Sequence, residues 1–306
     1  MTHAIIIFFL VWRFGLFIVS WISSLLIQFA PRFPYADIFL IPSGLQQWLW
    51  SFANFDGVHY ITIATTGYSA QFTQVFFPLF PLIINFIRSI FPINAMVIGL
   101  IISNVFFLFS LFILVKLLEL DYRKDTVINT VLILLVFPTS YYFGSLYTES
   151  LFLFLILSAF LAARKKHWFL SGLLGLFASA TRFVGIFLLP ALLWEQYCVK
   201  LKTQNSKLKT KSQISKLNSF MKRLFHILLD ILRSPITYLV PLGVFLYMVY
   251  LFIEHNDPLY FWHVQPIFGA ARVGTSMILP PQVIFRYFKM FTSVPFGATG
   301  VFHSVT

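Results

Sequence analysis

Asp56 stands in the run Phe55-Asp56-Gly57-Val58-His59-Tyr60, three residues before His59. On a helical turn that spacing puts a carboxylate and an imidazole on one face. Such a pair can act as a general base toward a hydroxyl. Gly57 allows a tight turn between them. The structural alternative is that Asp56 caps a helix and His59 is an interfacial side chain. Glu149, in Tyr147-Thr148-Glu149-Ser150, falls at the edge of an apolar run. An ionisable group there marks a functional site, or else a helix N-terminal acid stabilised by the dipole. Arg182, in Thr181-Arg182-Phe183-Val184-Gly185, separates two short apolar stretches. A guanidinium can hold a phosphate through two parallel hydrogen bonds, or can snorkel toward lipid headgroups. A fourth polar and aromatic run, Asn256 to Gln265, contains Asp257, Tyr260, Trp262 and His263. It reads as a binding loop or an ordinary aromatic belt turn. His59, His255 and His263 could share a metal, but their spacing does not demand one. No P-loop, GxSxG, dinucleotide glycine pattern or HExxH is present.

These residues must be positioned by a membrane protein. Of 306 residues, 59% are hydrophobic and 10% are charged, and the mean hydropathy is +0.85. A soluble domain carries about 25% charged residues, so a cytosolic enzyme is excluded. Long continuous apolar runs disfavour a β-barrel. The predicted fold is an all-α polytopic transmembrane bundle. Seven spans are expected: Ala4–Ala30, Ala95–Leu118, Thr126–Phe143, Ser150–Ala163, Trp168–Ala180, Phe183–Tyr197 and Ile236–Ile253. The first lacks a basic n-region and a small-x-small site, and reads as a retained helix rather than a cleaved signal. It carries Arg13, expected to pair with an acid or backbone carbonyls inside the bundle.

Charge sets the expected topology. The net charge is +12, and Cys198 to Arg223 holds eight Lys or Arg and no acid. With Arg123-Lys124 and Arg164-Lys165-Lys166-His167 it makes three basic clusters, which the positive-inside rule puts in the cytoplasm. Even crossings between them require a hairpin turning at Thr181-Arg182. Residues 198–223 are then a basic cytoplasmic loop, and 31–94 form an outer loop holding the catalytic residues. In that loop Val75–Pro92, with Pro78, Pro81 and Arg88, reads as re-entrant or surface-lying. Leu45, Trp48, Leu49 and Phe52 recur at i, i+3, i+4, i+7, which predicts a helix lying in the interface. The basic run lacks the stacking platform or reading motif of nucleic-acid binding, so none is expected. The single cysteine, Cys198, rules out an internal disulfide.

Phe55-Asp56-Gly57-Val58-His59-Tyr60, Ala64, Gly67-Tyr68 and Phe76-Phe77-Pro78-Leu79-Phe80-Pro81-Leu82 resemble the first lumenal loop of the GPI mannosyltransferase 2 (PIG-V) family. Tyr147-Thr148-Glu149-Ser150, Thr181-Arg182-x-x-Gly185 and Asp257-Pro258 with Gln265 follow in the same order. The resemblance covers about residues 10 to 270. Phe55 departs from it, since members commonly carry Trp there. Relatives also run longer, which raises a truncated open reading frame.

The resemblance implies one GT-C glycosyltransferase domain over 1–306 and an inverting transfer of a hexose, typically mannose, from a polyprenyl-phosphate donor to a glycan or glycolipid acceptor. It implies Asp56, His59 and Glu149 as catalytic, with Asp56 as the base. Arg182 would bind the donor phosphate, and Tyr60, Tyr147, Asp257 and Gln265 the substrate. No cofactor or metal is implied, because the leaving polyprenyl phosphate already carries its charge and no DxD pair is present. The expected location is the plasma membrane in a prokaryote or the endoplasmic reticulum membrane in a eukaryote. The rival class is a multi-spanning transporter or lipid flippase, which also uses broken helices but often shows an internal repeat absent here. A non-catalytic scaffold would leave Asp56 and Glu149 unexplained.

Overall fold

The computed structural model describes residues 2–27, 29, 35–208, 229, 233–268, 281–282, 284–285 and 289, with the backbone alone over 200–208. All regular structure among them is helical. Among the described residues three helices are long and apolar enough to cross a membrane: α1 (Thr2–Leu26), α6 (Ala95–Leu118) and α11 (Pro235–His255). Intervening elements are α2 (Ala36–Phe39), α3 (Gln47–Trp50), α4 (Asp56–Thr66), α5 (Leu79–Ile90), α7 (Lys124–Val136), α8 (Glu149–Arg164), α9 (Trp168–Thr181) and α10 (Leu188–Leu208). After α11 come α12 (Tyr260–His263) and α13 (Gln265–Phe268). The chain is thus an all-α membrane helical bundle.

Three of the four remaining expected spans are short or broken. α7 runs straight into a tight 3-10 stretch, Pro138–Gly144, and the pair bends by 83°. Pro138 explains the break, because it cannot continue the α7 hydrogen-bond ladder. α8 has 16 residues and α9 has 14. At 1.5 Å per residue they are about 24 and 21 Å long, below the ~30 Å of a hydrocarbon core. α5 has 12 residues, about 18 Å, again too short to cross.

The hairpin expected at Arg182 is present. α9 ends because Arg182 is extended (φ −151°, ψ 141°). Arg182 reaches Glu149 at the start of α8, whereas Arg164 at its end reaches Asp121 (2.7 Å) and Glu195 of α10 (3.5 Å). The chain therefore doubles back between Arg182 and Glu195. One end of the bundle gathers the 119–125 and 164–167 turns with Glu195; the other holds the Arg182–Glu149 pair. Of the expected basic loop 198–223, α10 continues to Leu208 and 209–223 lie outside the described residues.

Packing is closest between α9 and α11. A Cβ on Gly243 would lie 2.2 Å from the Leu176 carbonyl oxygen, so only glycine lets the backbones meet there. Ser179 Oγ donates to the Val240 carbonyl across the same contact (2.6 Å). α6 starts on a side-chain cap, with Asn94 accepting from the Met96 amide (2.9 Å).

The pattern Leu45, Trp48, Leu49, Phe52 does not give an interfacial helix. α3 is a single turn, and Phe52 is fully buried. α1 covers that apolar face: Phe17 packs edge-on against Trp48 (5.3 Å) and Phe52 (5.7 Å). The same periodicity serves lipid or protein, and here protein supplies the cover. Arg13, 7% exposed, finds no acid among the described residues. Its guanidinium lies over the rings of Phe17 (4.2 Å) and Phe52 (4.4 Å) instead.

Candidate functional site

Asp56 opens α4 and is solvent-exposed. The preceding Phe55 has φ 55° and ψ −123°. A bulky residue at positive φ is strained, so the surroundings must hold it there. They do so through the segment around Leu146 and Tyr147. Leu146 N donates to the Phe52 carbonyl (2.7 Å), and Tyr147 Oη donates to the Asn54 carbonyl (2.8 Å). Gly57 is helical rather than in a turn. Its role is close approach, since a Cβ there would lie 3.2 Å from the Leu146 carbonyl oxygen. The Asp56 motif and the Tyr147 motif are thus one packed unit.

Glu149 begins α8, and Arg182 Nη1 donates to its Oε1 at 2.7 Å. Neither spacing nor composition signals this pairing across 33 residues. Both side chains are about a third exposed (40% and 31%), so solvent screening keeps the pair's stabilisation modest. Its geometric effect is larger: it fixes the guanidinium, which also lies 5.9 Å from the Phe152 ring. Glu149 Oε2 is buried and has no hydrogen-bond partner. Asn54 Oδ1, which sequence reading passed over, is likewise buried and unpartnered. Both are acceptors that a donor-bearing ligand would satisfy. The only sequence signal for Asn54 is its place two residues before Asp56.

Tyr60 lies between these groups. It is 6% exposed, and its hydroxyl is 3.5 Å from Thr148 Oγ1. Burial pushes its phenol above the ordinary range; the Thr148 hydrogen bond opposes this, the charges of Glu149 and Asp56 add to it, and Arg182 opposes it. Tyr147 is also pushed up, first by burial and then by Asp56. Asp56, Glu149, Arg182, Tyr60 and Tyr147 therefore share one electrostatic environment.

His59 is placed differently from Asp56. It is 3% exposed and stacks on Phe76 (5.1 Å, 25°), with Phe268 (5.0 Å) and Tyr35 (6.0 Å) edge-on. Burial lowers its pKa from 6.5 to about 4, so the ring is neutral at pH 7. The unfolded chain then binds a proton more readily than the folded one. The resulting stability is complete above pH 6.5 and is lost as pH falls toward 4. At pH 5 the loss is about 2 kcal/mol. Thermal unfolding in detergent should show this acid sensitivity, and His59→Phe should remove it. An unchanged pH profile in that variant would show that His59 does not titrate this way.

Asp257 and Gln265 do not join the Asp56 group through any direct bond among the described residues. Asp257 pairs with His263 (2.6 Å) and accepts from the Leu259 amide (3.0 Å). The His263 bond holds its carboxyl below the usual range. Gln265 is exposed at the start of α13. That segment reaches the site through Phe268, whose ring lies against His59 and Phe76.

An exposed carboxylate, a cation oriented by a second carboxylate, and two unpartnered acceptors suit a ligand that has hydroxyl donors and an anionic group. No curated protein and no solved structure matches the chain. A family model does: the model described as mannosyltransferase (PIG-V) matches residues 2–268. With nearly all the described helices inside that match, the chain belongs to the PIG-V mannosyltransferase family and is a membrane mannosyltransferase.

Proposed function

We propose that the protein transfers mannose from a polyprenyl-phosphate donor to a glycan or glycolipid acceptor at the outer face of its membrane, with inversion. The observation that carries this reading is the grouping of Asp56, Glu149 and Arg182 around Tyr60. Asp56, the exposed carboxylate, takes the proton of the acceptor hydroxyl. That oxygen attacks the anomeric carbon as the bond to the phosphate oxygen breaks, and the polyprenyl phosphate leaves with the electron pair. Arg182 neutralises the leaving phosphate. Glu149 engages Nη1, which leaves other guanidinium donors to hold a phosphate. Glu149 orients Arg182 and offers Oε2 to a sugar hydroxyl. Tyr60 and Tyr147 line the sugar's place, and Asp257 and Gln265 lie on the acceptor side. His59, neutral and enclosed by rings, supports α4 behind Asp56. Transfer of radiolabelled mannose from polyprenyl-phosphate-mannose in proteoliposomes tests the activity; movement of intact lipid without transfer would support the flippase reading.

The face is tested separately. The Arg164 contacts gather the basic turns at the end of the bundle opposite Arg182. The positive-inside rule puts that end in the cytoplasm. With Cys198→Ser removing the native thiol, Thr210→Cys should resist an impermeant maleimide in intact cells and react after permeabilisation. Labelling from outside would invert the topology and put the carboxylates on the cytoplasmic side.

A further inference from the structure

We infer that the segment after α11 forms a pyranoside-binding subsite with the 67–77 loop, and that it receives the acceptor glycan. The inference rests on the mannosyltransferase reading of the Asp56–Arg182 site. His255 ends α11 and stacks on Tyr260 with centroids 4.1 Å apart and planes at 14°. Each ring covers one face of the other, so Tyr260 backs His255, which is exposed. Trp262, 57% exposed, adds a second ring surface nearby. A pyranose has an apolar C–H face that fits such rings and a rim of hydroxyls that needs polar partners.

The rim partners are present. Gln74 is 4% exposed, and its Nε2 lies 3.3 Å from His255 Nε2. Its Oε1 is buried and has no hydrogen-bond partner. Tyr247 holds the Gln74 backbone in place by donating to its carbonyl oxygen (2.7 Å). A buried acceptor without a donor is destabilising unless a ligand or water supplies one. Asp257, whose carboxylate His255 also influences, is bridged to the exposed His263, so an acceptor and a ring nitrogen stand near His255. The carboxylate disfavours a phosphate headgroup there and suits hydroxyl donors. An aromatic belt turn would need neither the buried amide nor the carboxylate–imidazole pair.

The platform adjoins the proposed donor site. Phe183 follows Arg182 directly, and its ring packs on Phe261 (5.5 Å) and Trp262 (6.2 Å). A glycan resting on the exposed face of His255 can thus extend past Trp262 toward the Arg182 phosphate site.

The full chain in nanodiscs is to be probed by saturation-transfer NMR with methyl α-mannoside, methyl α-glucoside and methyl N-acetylglucosaminide. At least one should give a signal in the wild type. Loss of one or two hydrogen bonds and a ring face should weaken it about tenfold in His255→Ala. Gln74→Met, which keeps the volume, should weaken it while leaving the melting temperature near wild type. The sugars are bound without turnover, so this readout is independent of catalysis. Absence of any pyranoside signal, or unchanged binding in both variants, overturns the subsite. Full mannosyl transfer by Asp56→Asn would instead remove Asp56 as the base of the proposed reaction and leave the binding result standing.

Discussion

Asp56→Asn is expected to lower mannosyl transfer by about 10²–10⁴-fold, the usual contribution of a positioned general base. The substitution nearly conserves volume and polarity but removes proton acceptance. Donor binding should survive, because the phosphate is assigned to Arg182 and not to Asp56. Stability should change little. Asp56 is the first helical residue of α4, with Phe55 in the cap position, so its charge interacts with the start of the helix. Neutralising it there costs about 0.3–1 kcal/mol. A purely structural Asp56 gives the opposite pattern: Asn keeps its turnover, and Asp56→Ala loses about 0.3–1 kcal/mol of stability without a specific loss of chemistry. Turnover and melting temperature measured on the same preparations separate the two. Wild-type transfer by the Asn variant at matched expression removes Asp56 from the active site. Because Phe55 is held at positive φ, Phe55→Gly supplies a companion measurement. It relaxes the backbone that aims Asp56, so it should reduce turnover more than it reduces donor affinity.

The apolar runs made α1, α6 and α11 legible, since about 20 continuous apolar residues leave few alternatives. The turn at Arg182 was also readable, from charge parity, whereas the expected span 126–143 ran through the break that Pro138 imposes. The tertiary partners were not readable. The i, i+3 spacing of Asp56 and His59 fixes their relation on α4 but not what covers either residue. Phe76 and Phe268 enclose His59, and Phe268 arrives from more than 200 residues away. The heptad-like run at 45–52 has the same ambiguity: lipid or α1 could cover it, and only the fold decides. Glu149 and Arg182 each stood out singly because ionisable groups beside apolar runs are costly. Their ion pair depends on α8 and α9 running side by side, which neither local motif encodes.

That ion pair governs the second large effect. Arg182→Ala should abolish detectable donor binding and transfer, because it leaves Glu149 buried at one oxygen and removes the cation facing the phosphate. Arg182→Lys is more informative. It conserves charge but replaces the planar fork with a point donor that cannot serve Glu149 and a phosphate together with the same geometry. Donor affinity should fall about tenfold or more, corresponding to loss of about one charge-assisted hydrogen bond. Glu149→Gln distinguishes orientation from catalysis. The carboxamide can still accept from Nη1, so the guanidinium stays near its place, but the local charge rises by one. If Glu149 only positions Arg182, donor affinity is kept or strengthened and turnover falls modestly. If Glu149 is the base, turnover collapses as in Asp56→Asn while donor binding is retained. Titration with the non-transferable polyprenyl phosphate, alongside initial-rate kinetics, reads both quantities. Donor affinity unchanged in Arg182→Ala would show that Arg182 serves the fold or the lipid headgroups, and that the phosphate is held elsewhere.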